Sequence, residues 1–278
     1  MNDRLLATIG GWTGGNIPKR GSYADVAVLI ARRATMATLP IMCGRYLALS
    51  SPEALAERFD VDETRLAPSE PRYNVAPSTQ VPAIIERDAS RRLGALRWGF
   101  IPHWTKQLKG SPQPINARVE TVATSKMFAS AFVRQRCLLP ADGFYEWFDR
   151  GDGQRKQPFH IADPDGQPLA FAGIWSIWRD PQAAEDADLV SSAAIITTTA
   201  RGEMERIHHR MPLILPESLW SDWLAAEPDD VPHLAETVAA IGPPRLVATE
   251  ISDRVNSVRN DGPELIEPGT VDDRSGNG

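Results

Sequence analysis

Apolar and polar positions change period along the chain, and the changes divide it into elements. In "LSSPEALAERF" (49–59), Leu55 and Phe59 recur four apart, Ser51 stands where a helix N-cap would, and Pro52 stands at the first helical position. A hydroxyl at the N-cap accepts an orphan backbone N–H, and proline loses nothing at that position, so the stretch predicts a short amphipathic helix. From about residue 80 the runs become short, β-branched and aromatic. "QVPAIIE" (80–86), "LGALRWGFIP" (93–102), "RCLLPADGFYEWF" (136–148), "QPFHIA" (157–162), "LAFAGIWSIW" (169–178) and "AAIITTTA" (193–200) are punctuated by Gly, Pro and Asp and read as strands. "DPDGQP" (163–168) is a turn between two of them. Helical spacing returns in "ARVETVATSKMFASAFVR" (117–134), after Pro216 in "PESLWSDWLA", and in "DVPHLAETVAAI" (230–241). The order predicts an α+β fold: a mainly antiparallel, barrel-like sheet with peripheral helices.

The ends lack this patterning. Residues 1–41 contain two Gly-Gly pairs and weak periodicity, so they are expected to be a non-domain leader, through a mistaken start site or as a removed segment. The folded domain is expected over 42–268, and the polar, Gly-rich tail 269–278 is expected to be disordered.

Composition narrows the class. With 278 residues, 42% of them hydrophobic and 24% charged, the chain can bury a sizeable core. Two cysteines, Cys43 and Cys137, are too few for a disulfide framework and lack metal-ligand spacing; no metal or other cofactor is implied. The longest apolar run before Cys43, Val26 to Ala31, is too short for a signal-peptide core and no later run approaches a membrane span, so a soluble, cytoplasmic, monomeric protein is expected. The net charge is −6 although the leader is basic, so the domain itself is acidic. That counts against broad electrostatic binding of nucleic acid and leaves room for a narrow basic cleft.

Several polar residues could carry chemistry. Cys43 in Cys-Gly-Arg is by default a small buried residue. With a free α-amine it would differ: an α-amine titrates near 7.7–8.0, against about 10.4 for lysine, so near neutrality it is the better imine-forming nucleophile, and the thiol could then close a thiazolidine ring. Gly44 would let a backbone pass close by and Arg45 could hold an anion. In "ADGFYEWF", alternation puts Glu146 on one face with Phe144 and Phe148; a carboxylate buried between them would titrate high, and the alternative is a solvated face. His208 and His209, if in a strand, point apart, so at most one serves a single site. Asn116 could cap the helix from 117, with Arg118 and Lys126 at its start or along it, either as a solvated first turn or as a phosphate site. The loop at 71–80 presents Arg72, Tyr73 and Asn74, and Trp98 and Trp104 could stack bases or fill the core.

Taken together and in order, "MCGRY", "RYNVAP", "RWGFIPHW", "INARVETVATSKMF", "CLLPADGFYEW", "KQPFHI", "FAGIW", "IHHRMPLIL" and "VNSVRNDGPELIEP" resemble the SOS response-associated peptidase (SRAP) family, the abasic-site processing proteins. The resemblance spans about 42–268. It implies capture of abasic sites in single-stranded DNA by an N-terminal cysteine, exposed by loss of the initiator methionine, as a thiazolidine DNA–protein crosslink. It further implies a lyase side path through the imine and an older reading of the same cysteine as an autopeptidase that removes a preceding segment. By this resemblance Cys43 is the nucleophile, Asn116 positions the cysteine or the substrate, Glu146 is the acid/base, and His208 donates a proton or stabilises charge. Arg45, Asn74, Arg118 and Lys126 would contact the strand, with Trp104 beside the bases. Three features depart from the family pattern: His209 replaces a usual acidic residue, Lys126 replaces a common arginine, and the leader keeps the Cys43 nitrogen as an amide.

Overall fold

The structure, a computed structural model, describes residues 44–269 apart from 152, 154, 185 and 186. Cys43 and the expected leader lie outside the described residues, as does the expected tail beyond Gly269. The described residues begin with β1 (Tyr46–Ala48), α1 (Pro52–Arg58), β2 (Glu63–Thr64), β3 (Arg72–Val75), β4 (Gln80–Arg87) and β5 (Ser90–Trp98). After a loop come β6 (Asn116–Arg118), α2 (Val119–Val122), α3 (Ala129–Arg134), β7 (Arg136–Ala141), β8 (Gly143–Phe148), β9 (Gln157–Ala162), β10 (Leu169–Trp178) and β11 (Val190–Thr199). β12 (Arg210–Pro212), α4 (Trp220–Ala225), α5 (Val231–Ala240) and β13 (Val247–Glu250) complete it.

Two sheets form. One runs β13-β9-β8-β1-β3 and is antiparallel throughout. The other runs β12-β11-β10-β7-β4-β5-β2, and parallel pairing of β5 with β11 (Arg97 opposite Ser192) closes its middle five strands into a ring, the expected barrel. β6 lies parallel to β11 on the ring's rim, with Asn116 opposite Ile195 and Arg118 opposite Thr197. Alternation sorts the ring's side chains into two cores. Val81, Ala83, Ile85, Cys137 and Leu139 join Tyr46, Val75, Phe144 and Phe159 from the first sheet. Their strand neighbours Ile84 and Leu138 join Phe132, Trp220, Trp223 and Leu234 from the helices.

Local chemistry explains the elements. The Ser51 hydroxyl caps α1 by accepting from the Ala54 amide at 3.2 Å, as its sequence implies. In the turn after β9, Gly166 adopts φ +71° and its amide bonds the Asp163 carbonyl at 3.1 Å. Gly143 is required for a different reason: a Cβ there would meet His160 Nε2 at 2.6 Å and the Ile161 carbonyl at 2.9 Å, so β8 and β9 approach this closely only through glycine.

The helix expected over 117–134 is broken. Residues 116–118 pair with β11 as a strand, and only α2 and α3 are helical. Between them the Thr121 carbonyl accepts from both Thr124 and Ser125, and the Ser125 hydroxyl accepts from the Met127 amide at 3.3 Å. The i to i−3 bond from Thr124 and the Ser125 hydroxyl bond compete with continued i to i−4 bonding.

Arg136 ties α3 and α4 together. Its guanidinium is buried and donates to the Trp223, Phe132, Val133 and Ala226 carbonyls, the orphan acceptors at two helix ends. No described helix is long and apolar enough to cross a membrane.

Candidate functional site

Glu146 sits near the end of β8, where the strand leaves the core. Phe144, two residues earlier, is fully buried, whereas Phe148, two residues later, is 37% exposed. Glu146 itself is 4% exposed, so of the two expected settings, a partly buried face or a solvated one, the residue lies in the first. Its Oε1 accepts from the Trp147 amide at 3.3 Å. Across the ladder, Glu146 pairs with Phe159 of β9, whose ring lies 5.5 Å beneath the Arg206 guanidinium. That stacking brings the segment before β12 against the strand beside Glu146.

This segment holds the histidines, and they do not point apart. Residues 208 and 209 lie in the connection before β12, not in a strand, and the two rings stand 4.2 Å apart at 36°. His208 is half-buried and His209 exposed. His208 Nδ1 lies 3.2 Å from the Arg210 amide and 3.3 Å from the Arg210 carbonyl, so it accepts from the one when deprotonated and donates to the other when protonated. Burial, followed by the charges of His209, Lys156 and Arg210, holds His208 below the usual histidine value against a backbone bond with Arg210 that favours the protonated ring. Burial and the charges of Arg210 and Arg118 lower His209 in the same direction. A run of positive or protonatable groups thus extends from Arg118 on β6 through His209 and His208 to Lys156 before β9.

Asn116 is a strand residue on the ring's rim and not a helix cap. The N-cap of α2 is Arg118, which makes no side-chain capping bond, and a four-residue helix is not a phosphate site. Arg118 and Lys126 are exposed, Lys126 in the turn between α2 and α3. Arg210 is held by a two-oxygen ion pair with Glu120 and by Thr197, whose carbonyl it meets at 2.9 Å. Sequence reasoning missed this pair, because no local signal joins residues 90 apart.

The tryptophans separate. Trp98 is 0% exposed and donates to the Ile115 carbonyl at 3.0 Å, so it belongs to the core; Trp104 is 56% exposed beside a cleft of about 560 Å³ that Lys106 and Met127 also line.

Asn74 is buried and Arg45 half-buried, and both are engaged within the protein where strand contacts were expected. Asn74 is 3% exposed, and its Oδ1 accepts from Arg45 Nη1 at 2.8 Å. Burial lowers the Arg45 guanidinium from its ordinary value, with Tyr145 acting the other way. Gly44 is not a tight approach among the described residues, since the nearest atom to an added Cβ is Ile115 Cδ1 at 3.9 Å. That contact does locate it: Ile115 immediately precedes Asn116. The β1–β8 register pairs Tyr46 with Phe144 and the Tyr145 amide bonds the Arg45 carbonyl at 3.1 Å, so one step further Gly44 opposes Glu146. Cys43, the residue before it, lies outside the described residues. Among the described residues no cluster of His, Cys, Asp and Glu could hold a metal ion.

Comparison with known proteins agrees with this architecture. Residues 42–258 match the family model described as SOS response associated peptidase (SRAP). The abasic site processing protein YoqW of Bacillus subtilis is 38% identical over 228 residues, covering 81% of this chain and 99% of that protein. YedK of Escherichia coli, of the same description, is 36% identical over 234 residues, covering 82% and 100%. A crystal structure of a Bacteroides thetaiotaomicron protein superposes with a TM-score of 0.68 at 21% identity, covering 82% of this chain and all of that one; it shows the shared fold. A phage-related protein from Bordetella bronchiseptica superposes at 0.58 with 31% identity, covering 75% and 94%. With its ring of strands, its rim-bound Asn116 and the matched span of 42–258, this chain belongs to the SRAP family.

Proposed function

We propose that the chain processes abasic sites in single-stranded DNA by covalent capture through Cys43, once that residue is the first of the protein. One observation carries the reading: Gly44, covalently bound to Cys43, lies beside Ile115, the neighbour of Asn116, and next in register to the strand bearing Glu146. An amine on the residue before Gly44 would therefore start near the strands that carry Asn116 and Glu146. Relatives of 36–38% identity bear the name abasic site processing protein, which supports the same substrate.

The chemistry balances without a cofactor. The neutral α-amine adds to the aldehyde of the ring-opened sugar, and loss of one water gives an imine. The Cys43 thiol then adds across the C=N bond, its sulfur to carbon and its proton to nitrogen, closing the five-membered ring. Both steps move protons at the sugar oxygen and the amine. Glu146, nearly removed from water, suits a carboxyl group that exchanges protons there. His208, half-buried with its Nδ1 held by the Arg210 backbone, suits a proton donor to the sugar oxygen. Arg118, Lys126 and Trp104, all exposed, suit the phosphates and bases of the strand. If the imine loses its β-phosphate before the thiol closes, the result is strand cleavage, the lyase side path.

The test is a chain starting at Met42 whose intact mass shows Cys43 as first residue, mixed with single-stranded DNA carrying one abasic site. A denaturant-resistant adduct is expected, and none with Cys43→Ala. No adduct, or an unchanged adduct from Cys43→Ala, overturns the reading. A second reading, self-cleavage before Cys43, is favoured by the 42 residues that precede it. Full-length protein should then shorten unaided to begin at Cys43; a purified chain that keeps its full mass excludes it.

A further inference from the structure

We propose that Asn74 and Asp261 are positioning residues: with Arg45 they lock the start of β1 to the segment 253–261, and so set where the residue-43 amine stands relative to Glu146. The inference rests on the function proposed above and adds residues to it.

The lock is a closed polar network. The Asn74 amide nitrogen lies 2.8, 3.0 and 3.2 Å from the Asn260, Ser257 and Val255 carbonyls, so two N–H groups serve three acceptors while Oδ1 holds Arg45. Arg45 donates as well to the Val255 and Asn256 carbonyls at 2.8 and 3.2 Å. The Asp261 carboxylate receives the Tyr73 and Asn74 backbone amides at 2.5 and 2.8 Å, which fixes β3 against the same segment. Tyr145, between Phe144 and Glu146 on β8, sends its hydroxyl to the Tyr73 carbonyl at 2.8 Å, and Trp147 donates to Asn256 Oδ1 at 2.8 Å. Each neighbour of Glu146 on β8 is therefore tied to the elements that hold Arg45.

Its consequence for chemistry follows from distance along the chain. Arg45 is two residues from Cys43. β1 pairs with β8 over only two residue pairs, and ahead of them a backbone bond from the Tyr145 amide to the Arg45 carbonyl holds the strand's start, so side-chain restraint at Arg45 bears directly on where that end lies. A half-buried guanidinium with three bonds, backed by a buried amide with its own partners, supplies that restraint. Neither side chain then contacts DNA: the network should govern the rate of capture once DNA is bound, and not the affinity for the strand. Displacing a reacting group by about 1 Å costs up to about a hundred-fold in rate.

The experiment uses chains starting at Met42, single-stranded DNA with one abasic site, and the single-turnover crosslinking rate at saturating DNA. The Kd for the same strand with an intact base is measured in parallel. Asn74→Ala, Asp261→Ala and Arg45→Lys are each expected to slow crosslinking by about ten- to a hundred-fold with Kd changed by less than about two-fold. Asp261→Asn, which keeps one carbonyl oxygen for the two amides, should restore most of the rate. Reaction of residue 43 with a small free aldehyde such as glyoxylate should be equal in all of them, because it needs no register with Glu146. Folding is checked by cooperative thermal melting; if an alanine variant does not fold, Arg45→Lys alone decides. Wild-type rates in the folded variants, or a loss confined to Kd, overturn the inference. Absence of crosslinking by the wild-type chain instead overturns the proposed function.

Discussion

Arg210 and Glu120 meet in a two-oxygen ion pair whose side chains are 8% and 11% exposed, joining the histidine segment to the short helix that follows Asn116 and Arg118. Removing one partner of such a pair strands the other charge away from water. Glu120→Ala is expected to lower unfolding stability by about 3–5 kcal/mol in urea titrations, because the Arg210 guanidinium keeps only Thr197. Glu120→Gln, which retains one acceptor, should cost less. Equal stability of Glu120→Ala and wild type would show that Arg210 finds other partners.

The stacked histidines predict an electrostatic effect that NMR can read. Burial is the largest cause of the low His208 value and the charge of His209 is the next. Replacing His209 by aspartate exchanges a positive neighbour for a negative one, which favours the protonated ring. The His208 titration midpoint should rise in His209→Asp, and the pH dependence of any DNA capture that needs neutral His208 should move with it. An unmoved midpoint would mean that burial alone sets it.

His160, on β9 against Tyr145 and Gly143, titrates at about 4 when folded, because burial disfavours its charged form relative to the ordinary 6.5. The unfolded chain thus binds the extra proton first. Stability should be full above about pH 6.5 and decline as the pH falls towards 4, by on the order of 2–3 kcal/mol, then level off for this group. Urea titrations of wild type and His160→Gln at pH 7 and pH 4.5 check it: the difference between the two pH values should shrink in the variant.

The two tryptophans of "RWGFIPHW" should respond oppositely. Trp98→Ala empties a core site and is expected to cost about 3–5 kcal/mol in stability. Trp104→Ala should leave stability within about 0.5 kcal/mol. If Trp104 stacks a base, the variant loses about 1–3 kcal/mol of strand affinity, roughly five- to 150-fold in Kd by fluorescence anisotropy. Unchanged affinity would leave Trp104 without a place in DNA binding.

What the sequence made legible was set by range. The Ser51 cap, the turn at 163–168 and the helix over 231–240 arise from neighbouring residues, and each appears where the local pattern puts it. Closure of the ring depends on Arg97 meeting Ser192, and no local period encodes a contact between such distant strands. Residues 117–118 carry helical spacing with Asn116 as a candidate cap because a three-residue strand is too short to display alternation before helical spacing resumes. Asn74 looked like a loop residue open to a ligand because its partners lie some 180 residues further on. The identities at 116, 118, 146 and 208 were visible from their motifs; their arrangement needed the fold.

The bonds from Arg45 and Asn74 to residues 255–260 also order events during synthesis. The first strand of the domain leaves the ribosome long before the segment that secures it, so a nascent chain holds every side chain named in the proposed reaction without the frame that aligns them. A chain ending before residue 253 would keep Cys43, Asn116, Glu146 and His208 and lose the contacts around Arg45. Completion of the frame around Arg45 is in this sense a property of the last-made part of the domain.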